Sequence, residues 1–359
     1  MSINLCESII KSIIIKGNNI RITLFVKYLF LCIASILLIN NGIWRKNSSI
    51  LDILEHNHLS HFNISEIKND KDREIFLKNT TNFYFNSRTK YLLKFNIIYN
   101  ESKLETIQDK LSWLDIHESP LYKSYVVDKI KLHEYSKKVL GKDICVPIIK
   151  IYKDTDEINL NELPDKFVMK CNHGSGMNII CNNKTKLNLT KIKKKLNDWK
   201  NINYGLFSTE FQYLYVKRQI YVETFLSLNL IDYKIYCFNG EPEFIMTKKV
   251  LDHNIINNYY DKNWKLTELE TAKKDHIRDP NYIIKKPKHL NLMLKYAKLL
   301  SEEFVFVRVD LYEYKNKIYL GELTFTPFNG FKKWKNKKDN IRIANLLNIK
   351  KVKAFLFNK

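Results

Sequence analysis

A short loop, Lys170 to Gly176, contains the residue types that bind phosphate. It reads Lys-Cys-Asn-His-Gly-Ser-Gly and lies between a predicted strand ending at Lys170 and another starting near Asn178. Glycines at 174 and 176 let backbone amides approach an anion closely, while Ser175 adds a hydroxyl donor and Lys170 a positive charge. A plain hairpin turn can contain the same Gly-Ser-Gly tripeptide, and the GxxxxGK[ST] pattern of P-loops is absent. The loop alone therefore leaves phosphate binding and a structural turn both open.

Asp310 and Glu322 form a second set with chemical potential, because a short turn joins the two predicted strands that contain them. Facing residues on antiparallel strands have Cβ atoms about 5 Å apart. Two carboxylates at that distance repel each other unless a cation lies between them, and Mg²⁺ prefers oxygen ligands. Apolar neighbours argue against the alternative, in which both pair with surface lysines. The pair predicts a magnesium–nucleotide site, where Arg308, on the same face, could clamp a phosphoryl oxygen.

Hairpins must position these carboxylates. Asn239-Gly240 is a strong turn signal between β-branched or aromatic runs, and Lys315-Asn316 marks a second turn. Because strands meet in hairpins more than in βαβ crossovers, we predict an α+β fold with antiparallel sheets, not a doubly wound parallel sheet. The predicted strands are Val146 to Tyr152, Phe167 to Lys170, Tyr221 to Phe225, Asp232 to Phe238, Glu243 to Thr247, Phe304 to Leu311 and Lys317 to Phe325. The predicted helices lie within Tyr91 to Gly141 and over Lys191 to Trp199 and Leu290 to Glu303.

The composition is that of a globular protein with a basic surface. The 359 residues are 45% hydrophobic and 13% aromatic, enough to fill two or three packed lobes. A formal net charge of +22 would attract nucleic acid or anionic membranes. Lys, Asn and Ile are abundant from end to end, however, and no nucleic-acid motif accompanies the charge. We therefore expect no nucleic-acid partner.

The cysteines and the apolar segment bear on the compartment. Six cysteines lie scattered without a CxxC pair, which indicates no zinc or thioredoxin-like site and fits a reduced, cytoplasmic compartment. We interpret Cys171 as a small buried thiol, not a nucleophile. The apolar segment Leu24 to Ile39 is shorter than the roughly 20 residues that a bilayer core requires and contains Lys27. It predicts peripheral membrane association at most, with a signal anchor as the alternative.

Five stretches together resemble the ATP-grasp superfamily and, within it, the TupA-like group of teichuronopeptide and cell-surface polysaccharide biosynthesis. They occur in family order between about Leu111 and Gly330, and they are KLSWLDIHESPLYKSYVVDK, LPDKFVMKCNHGSG, YVETFL, DYKIYCFNGEPEF and FVRVDLYEYKNKIYLGELTFTPFNG. The resemblance implies two α+β lobes that clasp ATP. It divides the chain into an N-terminal extension with the apolar helix (1–80), a helical part of the family region (81–145), the ATP-grasp domain (146–335) and a basic C-terminal tail (336–359).

The same resemblance implies ATP and Mg²⁺ as cofactors. Glu223 would lie at the adenine hinge, where backbone groups near Phe225 and Leu226 read the base. The implied nucleotide-binding residues are Lys131, Lys170, His173, Gly174, Ser175, Gly176, Glu223, Phe225, Leu226 and Lys234. Asp128 and Lys129 resemble the start of the N-terminal lobe, and His133 replaces an expected Arg.

The resemblance also implies the metal ligands and the catalytic residues. Asp310 and Glu322 would hold Mg²⁺ together with Thr324, which stands where ATP-grasp ligases often have a metal-binding Asn. Lys170 and Arg308 would be catalytic, because phosphoryl transfer depends on neutralising charge. In the implied reaction a carboxylate attacks the γ-phosphate of ATP, and an amine captures the acyl phosphate to form an amide. Its partners would be a small-molecule or glycan carboxylate and an amine, in an oligomeric state that the sequence does not indicate.

Two other functions stay open at this point. A metal-dependent glycosyltransferase needs a DxD motif, and Asp70-Lys71-Asp72 and Asp154-Thr155-Asp156 fit that short pattern in polar, turn-like stretches. A non-catalytic basic protein bound to an anionic membrane or polymer would have no nucleotide affinity. It would leave the Asp310 and Glu322 pair unexplained.

Overall fold

The structure is a computed structural model that describes residues 102–118, 120–208, 210–251, 254–272 and 276–351. All of them belong to the second of two units into which the chain divides, residues 70–359. The predictions for residues 1–101, including the apolar segment and the Asp70-Lys71-Asp72 motif, lie outside the described residues. No helix in the described part of the chain is long and apolar enough to cross a membrane.

Three helices precede the first strand: α1 (Ile107–His117), α2 (Pro120–Val127) and α3 (Leu132–Leu140). A capping box starts α1, since the Thr106 hydroxyl accepts from the Asp109 amide and the Asp109 carboxylate accepts from the Thr106 amide at 2.7 Å. Helix α3 ends at Gly141, whose φ of +70° favours a residue without a Cβ. The helices confirm the predicted helical pattern from residue 107 onward.

A four-stranded antiparallel sheet forms the first lobe, in the order β1-β4-β2-β3. Its strands are β1 (Ile148–Tyr152), β2 (Phe167–Cys171), β3 (Asn178–Cys181) and β4 (Ile220–Thr224), and helices α4 (Leu189–Asn201) and α5 (Tyr204–Ser208) lie between β3 and β4. Phe167 and Met169 are buried in the core that includes residues of α4. Because strand residues alternate between faces, Val168 and Lys170 point to the opposite side, where the site lies.

A six-stranded sheet forms the second lobe, in the order β10-β9-β5-β6-β7-β8. Its strands are β5 (Asp232–Phe238), β6 (Glu241–Leu251), β7 (Asn254–Tyr260), β8 (His276–Ile277), β9 (Phe306–Tyr314) and β10 (Lys317–Thr324). Its described pairs are antiparallel except β7 with β8. The predicted α+β fold with mainly antiparallel sheets is confirmed.

Both predicted hairpin turns are present, and both have the left-handed backbone that two-residue turns require. The φ angles are 52° and 82° at Asn239 and Gly240, and 48° and 61° at Lys315 and Asn316. Positive φ at both central residues defines the type I′ turn, whose twist matches that of the flanking strands. The turns therefore set the registers of β5 with β6 and of β9 with β10 next to each turn, and a register shift follows farther along each pair.

The two faces of the six-stranded sheet have different partners. Val307, Val309 and Leu311 pack in a core with helix α6 (Leu290–Ser301). The alternate residues of β9, Arg308 and Asp310, lie on the other face. That face continues into an aromatic core covered by α1 and α7 (Lys337–Leu346). One face therefore contains both the charged site and a large aromatic cluster.

Helix α7 differs from the predicted basic tail at residues 336–359, of which the structure describes 336–351. The Asn336 side chain caps α7 by accepting from the Lys338 amide at 2.9 Å. Ile343 and Ala344 are buried in the aromatic core, and Lys110 of α1 donates to the Ala344 carbonyl at 2.6 Å. The lysines of this segment lie outside an apolar stripe, so a helix forms where charge alone had suggested a tail.

Candidate active site

A cavity of about 400 Å³ lies between the two sheets, at the point where the chain crosses from one to the other. The four-stranded sheet contributes Val168, Lys170 and Glu223 to its wall, and the six-stranded sheet contributes Asp232 and Tyr312. The connection between β4 and β5, residues 225–230, closes one side. A polar cleft between two lobes is a usual place for a ligand.

The predicted hinge residues reach this cavity. Glu223 is the last but one residue of β4, and Phe225 and Leu226 follow directly in the lining connection. The Glu223 carboxylate pairs with the Lys170 ammonium at 2.5 Å, across neighbouring strands β4 and β2. The structure thus brings together four of the predicted nucleotide-binding residues, Lys170 among them.

The glycine loop is anchored at its root and open at its tip. Fully buried Asn172 donates to Asp128 at 2.8 Å and to the Lys217 carbonyl at 2.9 Å, and it accepts from the Gln219 amide at 2.8 Å. Ser175 and Gly176 are exposed, and Gly176 has a φ of +74°. Anchored polar groups below an exposed glycine tip suit a loop that closes over an anion.

Tyr204 and Lys129 hold the loop from two sides. A Cβ on Gly174 would lie 2.8 Å from the Tyr204 ring, so only glycine fits there without displacing the ring. Lys129 Nζ donates to the Gly174 carbonyl at 2.7 Å. Burial lowers the pKa of Lys129, while the charge of Glu322 opposes that shift. Lys129 therefore connects the loop with the carboxylates of the other lobe.

His173 differs from the other predicted loop residues because its side chain is buried, with 1% exposed. Its Nε2 lies 3.2 Å from the Trp199 carbonyl at the end of α4, and its Nδ1 has no hydrogen-bond partner among the described residues. Burial and the nearby Arg218 lower the pKa of His173 to about 4. The imidazole is therefore neutral and faces the lobe interior, so any contact of His173 with a nucleotide would come from its backbone.

The carboxylates of the second set face each other because a break at Gly321 shifts the register that the turn sets. Asp310 on β9 and Glu322 on β10 are direct partners in the antiparallel register. Arg308 holds Asp310 with two hydrogen bonds, at 2.6 and 2.7 Å. The same Nη2 nitrogen donates to Glu322 at 3.1 Å and to the Thr324 hydroxyl at 3.0 Å. The Arg308 guanidinium thus bridges the two carboxylates, because a buried guanidinium needs anionic acceptors, and its contact with a phosphoryl oxygen stays a prediction.

The pKa values of the two carboxylates shift in opposite directions. Burial raises the pKa of fully buried Asp310, although Arg308 and Lys234 act against it. Burial would also raise the pKa of Glu322, but the positive charges of Lys129, Lys234 and Arg308 lower it to about 2. The Glu322 side chain is 28% exposed. Glu322 is thus the carboxylate that is both ionised and open to a ligand.

The donor set suits a hard cation. Two carboxylates and the Thr324 hydroxyl offer oxygen atoms, and Thr324 Oγ1 lies 3.0 Å from Glu322 Oε1. Arg308 Nη2 contacts all three residues, so a positively charged group already lies where their oxygens converge. Oxygen ligands that converge on a positive charge are the kind that Mg²⁺ takes. Asp310, Glu322 and Thr324 therefore fit the predicted metal.

Lys234 links these carboxylates to the cavity. Its ammonium contacts Asp310 in the interior and pairs with Asp232, on the cavity wall, at 2.7 Å. Asp310 and Lys234 are register partners on β9 and β5. The carboxylate cluster and the cavity are therefore adjacent parts of one site.

Lys131 lies apart from this arrangement. It is exposed and its Nζ lies 5.8 Å from the centroid of the Tyr125 ring. Lys129, two residues earlier, is the lysine of this segment that contacts the glycine loop. The sequence did point to Lys129, because Asp128-Lys129 resembles the start of the family's N-terminal lobe. That resemblance did not show whether Lys129 or Lys131 contacts the loop.

Other predictions concern residues away from the cavity wall. Asp154 of the Asp154-Thr155-Asp156 motif pairs with Lys200 at 2.9 Å in a turn after β1, so the motif has the surroundings of a surface ion pair. Cys171 is 1% exposed, and burial raises the pKa of its thiol to about 12, which confirms a buried thiol. His133 pairs with Asp143 at 2.7 Å.

Comparison with known proteins identifies the family and the fold. The family described as TupA-like ATPgrasp matches residues 109–347. Similar solved structures include D-alanine–D-alanine ligase from Bacillus anthracis complexed with ATP, with 14% identity, 62% of this chain and 64% of that chain covered, and a TM-score of 0.38. The ADP complex of purK, N5-carboxyaminoimidazole ribonucleotide synthetase, shows 13% identity, coverage of 60% and 50%, and a TM-score of 0.38.

A third similar structure is N5-carboxyaminoimidazole synthetase from Staphylococcus aureus complexed with ADP, with 14% identity, coverage of 57% and 46%, and a TM-score of 0.33. The chain spans about half to two thirds of the length of these solved chains. No curated protein matches the sequence. Because the family match spans residues 109–347 of the 359, the chain belongs to the TupA-like ATP-grasp family.

Proposed function

We propose that this protein uses ATP and Mg²⁺ to join a carboxylate to an amine through an acyl phosphate. The observation that carries the proposal is the adjacency of two features in one cleft. One is the Lys170 and Glu223 pair below a glycine loop, and the other is the facing pair of Asp310 and Glu322. The Lys234 ammonium joins them by contacting Asp310 and the cavity-wall residue Asp232.

Positioning and charge neutralisation are the tasks of the protein in this reaction. Lys170 contacts phosphate oxygens at the cavity wall, and the exposed amides of Ser175 and Gly176 close over them. The substrate carboxylate attacks the γ-phosphorus of ATP. The bond between the γ-phosphorus and the oxygen that bridges it to the β-phosphate breaks, and ADP leaves. The amine then attacks the acyl carbon, and phosphate leaves. No protein nucleophile is needed, in agreement with the burial of Cys171.

Asp310, Glu322 and Thr324 would hold Mg²⁺, which supplies positive charge to the phosphates. Arg308 shares these ligands in the structure, and its positive charge offsets one of the two carboxylate charges. Glu322 is the ligand most open to the metal because 28% of its side chain is exposed.

We propose further that the acid and the amine belong to a cell-surface polysaccharide or its precursor. The support is the resemblance of the sequence to a group with that role. Synthesis of such precursors in the cytoplasm would agree with the absence of CxxC pairs in the sequence. Peripheral membrane association through residues 24–39 belongs to the same proposal.

The test is a panel of amino acids and uronic acids incubated with labelled ATP and Mg²⁺. We expect substrate-dependent release of ADP and phosphate in equal amounts, and a hydroxamate when hydroxylamine is added to trap the acyl phosphate. Release of AMP and pyrophosphate would show that the intermediate is an acyl adenylate and not an acyl phosphate. Release of UDP from a UDP-sugar without ATP would show that the protein is a glycosyltransferase and not a ligase.

Matched variants tie the reaction to the site. Glu322→Gln removes the charge of a partly exposed carboxylate and is expected to lose ADP release. Glu241→Gln alters a carboxylate that pairs with Lys298 on the surface and is expected to keep it. Equal ADP release by both variants would show that Glu322 has no role in the reaction.

A further inference from the structure

Lys332 lies in a cage of aromatic rings on the same face of the six-stranded sheet as the carboxylates. Its residue is 8% exposed. The Nζ atom lies 4.5 Å from the ring centroid of Trp334, 4.6 Å from Tyr259, 4.8 Å from Phe328 and 5.5 Å from Tyr236. A lysine this deep in the protein is rare unless an acid accompanies it.

No acid accompanies Lys332 among the residues that the structure describes. Its Nζ contacts the Tyr259 hydroxyl, the Tyr236 hydroxyl at 3.4 Å and the Met246 sulfur at 3.6 Å. Burial, together with the charge of Arg308, lowers the pKa of Lys332 well below its usual value. The aromatic faces act in the opposite direction, because they attract an ammonium. Burial therefore favours the uncharged amine, the form that can accept a proton, in surroundings that also tolerate the protonated form.

The ionisable groups that face Lys332 are few. Strand β5 contributes Tyr236, β7 contributes Tyr259 and β9 contributes Arg308. Helix α1 contributes uncharged Gln108, which donates to the Lys332 carbonyl. Its Nε2 also donates at 2.8 Å to a side-chain oxygen of Asn340 in α7. The phenols and Arg308 do not supply a negative charge near neutral pH, so the amine has no counter-ion in the part of the chain that the structure describes.

One residue separates this amine from the carboxylate cluster. Tyr236 contacts Lys332 and is the direct register partner of Arg308, which binds Asp310 and Glu322. The turn before Lys332 is strained, because Phe328 and Asn329 have φ angles of 54° and 59°. Non-glycine residues adopt such angles at a cost that the surrounding structure must offset. The strained turn returns the chain over the sheet and places Lys332 on the face that also contains Arg308 and Asp310.

We propose that Lys332 accepts the proton of the attacking amine in the second half of the reaction, an inference that rests on the proposed ligase function. An ammonium has no lone pair and cannot attack an acyl phosphate. The substrate ammonium gives one proton to Lys332 Nζ, and the freed lone pair forms the C–N bond. The C–O bond to phosphate breaks, and the second proton of the amine leaves with the phosphate. Lys332 then releases its proton to solvent.

The choice of nucleophile tests this role. Hydroxylamine is uncharged near neutral pH and needs no base, whereas an amino acid is an ammonium. Lys332→Met, an apolar side chain of similar length, is expected to form hydroxamate at a rate within about twofold of the wild type. Amide formation with the amino acid that the panel identifies should fall by about 100-fold or more, the usual contribution of a general base. Raising the pH until the amino acid is itself uncharged should restore amide formation in this variant.

Controls separate a proton acceptor from a structural residue. Lys335→Met removes an exposed lysine that pairs with Glu270, and it should keep both products. The guanidinium of Lys332→Arg stays protonated and cannot accept a proton, so this variant should behave like Lys332→Met if the latter does not fold. Loss of both products in a folded Lys332 variant, or amide formation at the wild-type rate, would overturn the role. A wild-type protein that forms neither product would instead contradict the ligase function itself.

Discussion

Lys170 and Glu223 form an ion pair of 2.5 Å at the wall of the cavity, with 23% and 11% of their side chains exposed. The pair holds the ammonium on the face of β2 opposite the buried core of that lobe. A lysine fixed in this way is ready to contact a phosphate without a large loss of side-chain entropy. The relationship predicts that both members of the pair affect nucleotide affinity.

Lys170→Met should weaken nucleotide binding by roughly 10-fold to 100-fold, because a charge-assisted hydrogen bond contributes about 1.5–3 kcal/mol. Calorimetric titration with ADP and Mg²⁺ measures the change. Lys150→Met is the matched control, since Lys150 lies on the same sheet and pairs with Glu162 at the surface. Unchanged affinity in Lys170→Met would remove Lys170 from the nucleotide site.

Asp310 and Glu322 should differ in what their loss does to the protein. Removing the partner of a buried ion pair costs about 3–5 kcal/mol. Asp310→Ala leaves Arg308 and Lys234 without their buried acceptor, so it should lower the free energy of unfolding strongly. Glu322→Gln alters a partly exposed group and should keep the fold while losing Mg²⁺-dependent turnover.

Urea unfolding of both variants, with turnover measured at several Mg²⁺ concentrations, checks this difference. Equal stability of Asp310→Ala and the wild type would contradict the buried role of that carboxylate. A Glu322→Gln variant with a normal Mg²⁺ requirement would place the metal elsewhere.

Local patterns in the sequence predicted the elements that build the site. The two turns at Asn239-Gly240 and Lys315-Asn316 are type I′, and the second turn joins the strands that contain Asp310 and Glu322. The register break at Gly321, which aligns these two carboxylates, was not predicted. The alternation of β2 likewise put Lys170 on the cavity face. Period and turn chemistry act over a few residues, so they can be read without knowing the tertiary structure.

Tertiary contacts decided the rest. The direction of the Arg308 guanidinium depends on which acids surround it, and the burial of His173 depends on the end of α4. The many lysines of α7 obscured its apolar stripe in the sequence. The aromatic rings around Lys332 come from three separate segments, and they are Tyr236, Tyr259, Phe328 and Trp334. Such arrangements depend on residues far apart in the chain, which periodicity does not report.

Gly321 should be intolerant of a methyl group because it lies under the ring of Tyr312. A Cβ at Gly321 would lie 2.6 Å from a Tyr312 ring carbon, at a break in the register of β9 with β10. Gly321→Ala should therefore destabilise the protein by about 1–3 kcal/mol. Nucleotide affinity should also fall, since Tyr312 lines the cavity.

A double-mutant cycle with Tyr312→Ala gives the control for this contact. If the clash with the ring causes the loss, Gly321→Ala should cost much less stability once the ring is absent. The same cost in both backgrounds would show that the backbone of β10, not the ring, requires glycine.

His173 should make the protein sensitive to acid. Its pKa is about 4 in the folded protein and near 6.5 in an unfolded chain, because burial and Arg218 disfavour the imidazolium. Between these values the unfolded state binds more protons, so acidification favours unfolding. The contribution to stability is fully present above pH 6.5 and is lost as the pH falls to 4, with an upper bound of about 3 kcal/mol.

The difference between the wild type and His173→Phe isolates this contribution. The phenyl ring fills the buried site and cannot titrate, although it gives up the contact with the Trp199 carbonyl. Urea unfolding at a series of pH values should show a stability advantage of the wild type that shrinks steadily from pH 6.5 to pH 4, because only the wild type then gains a proton on unfolding. Parallel curves for the two proteins would show that His173 has the same pKa in the folded and unfolded states. That result would contradict the lowered pKa that we attribute to its burial and to Arg218.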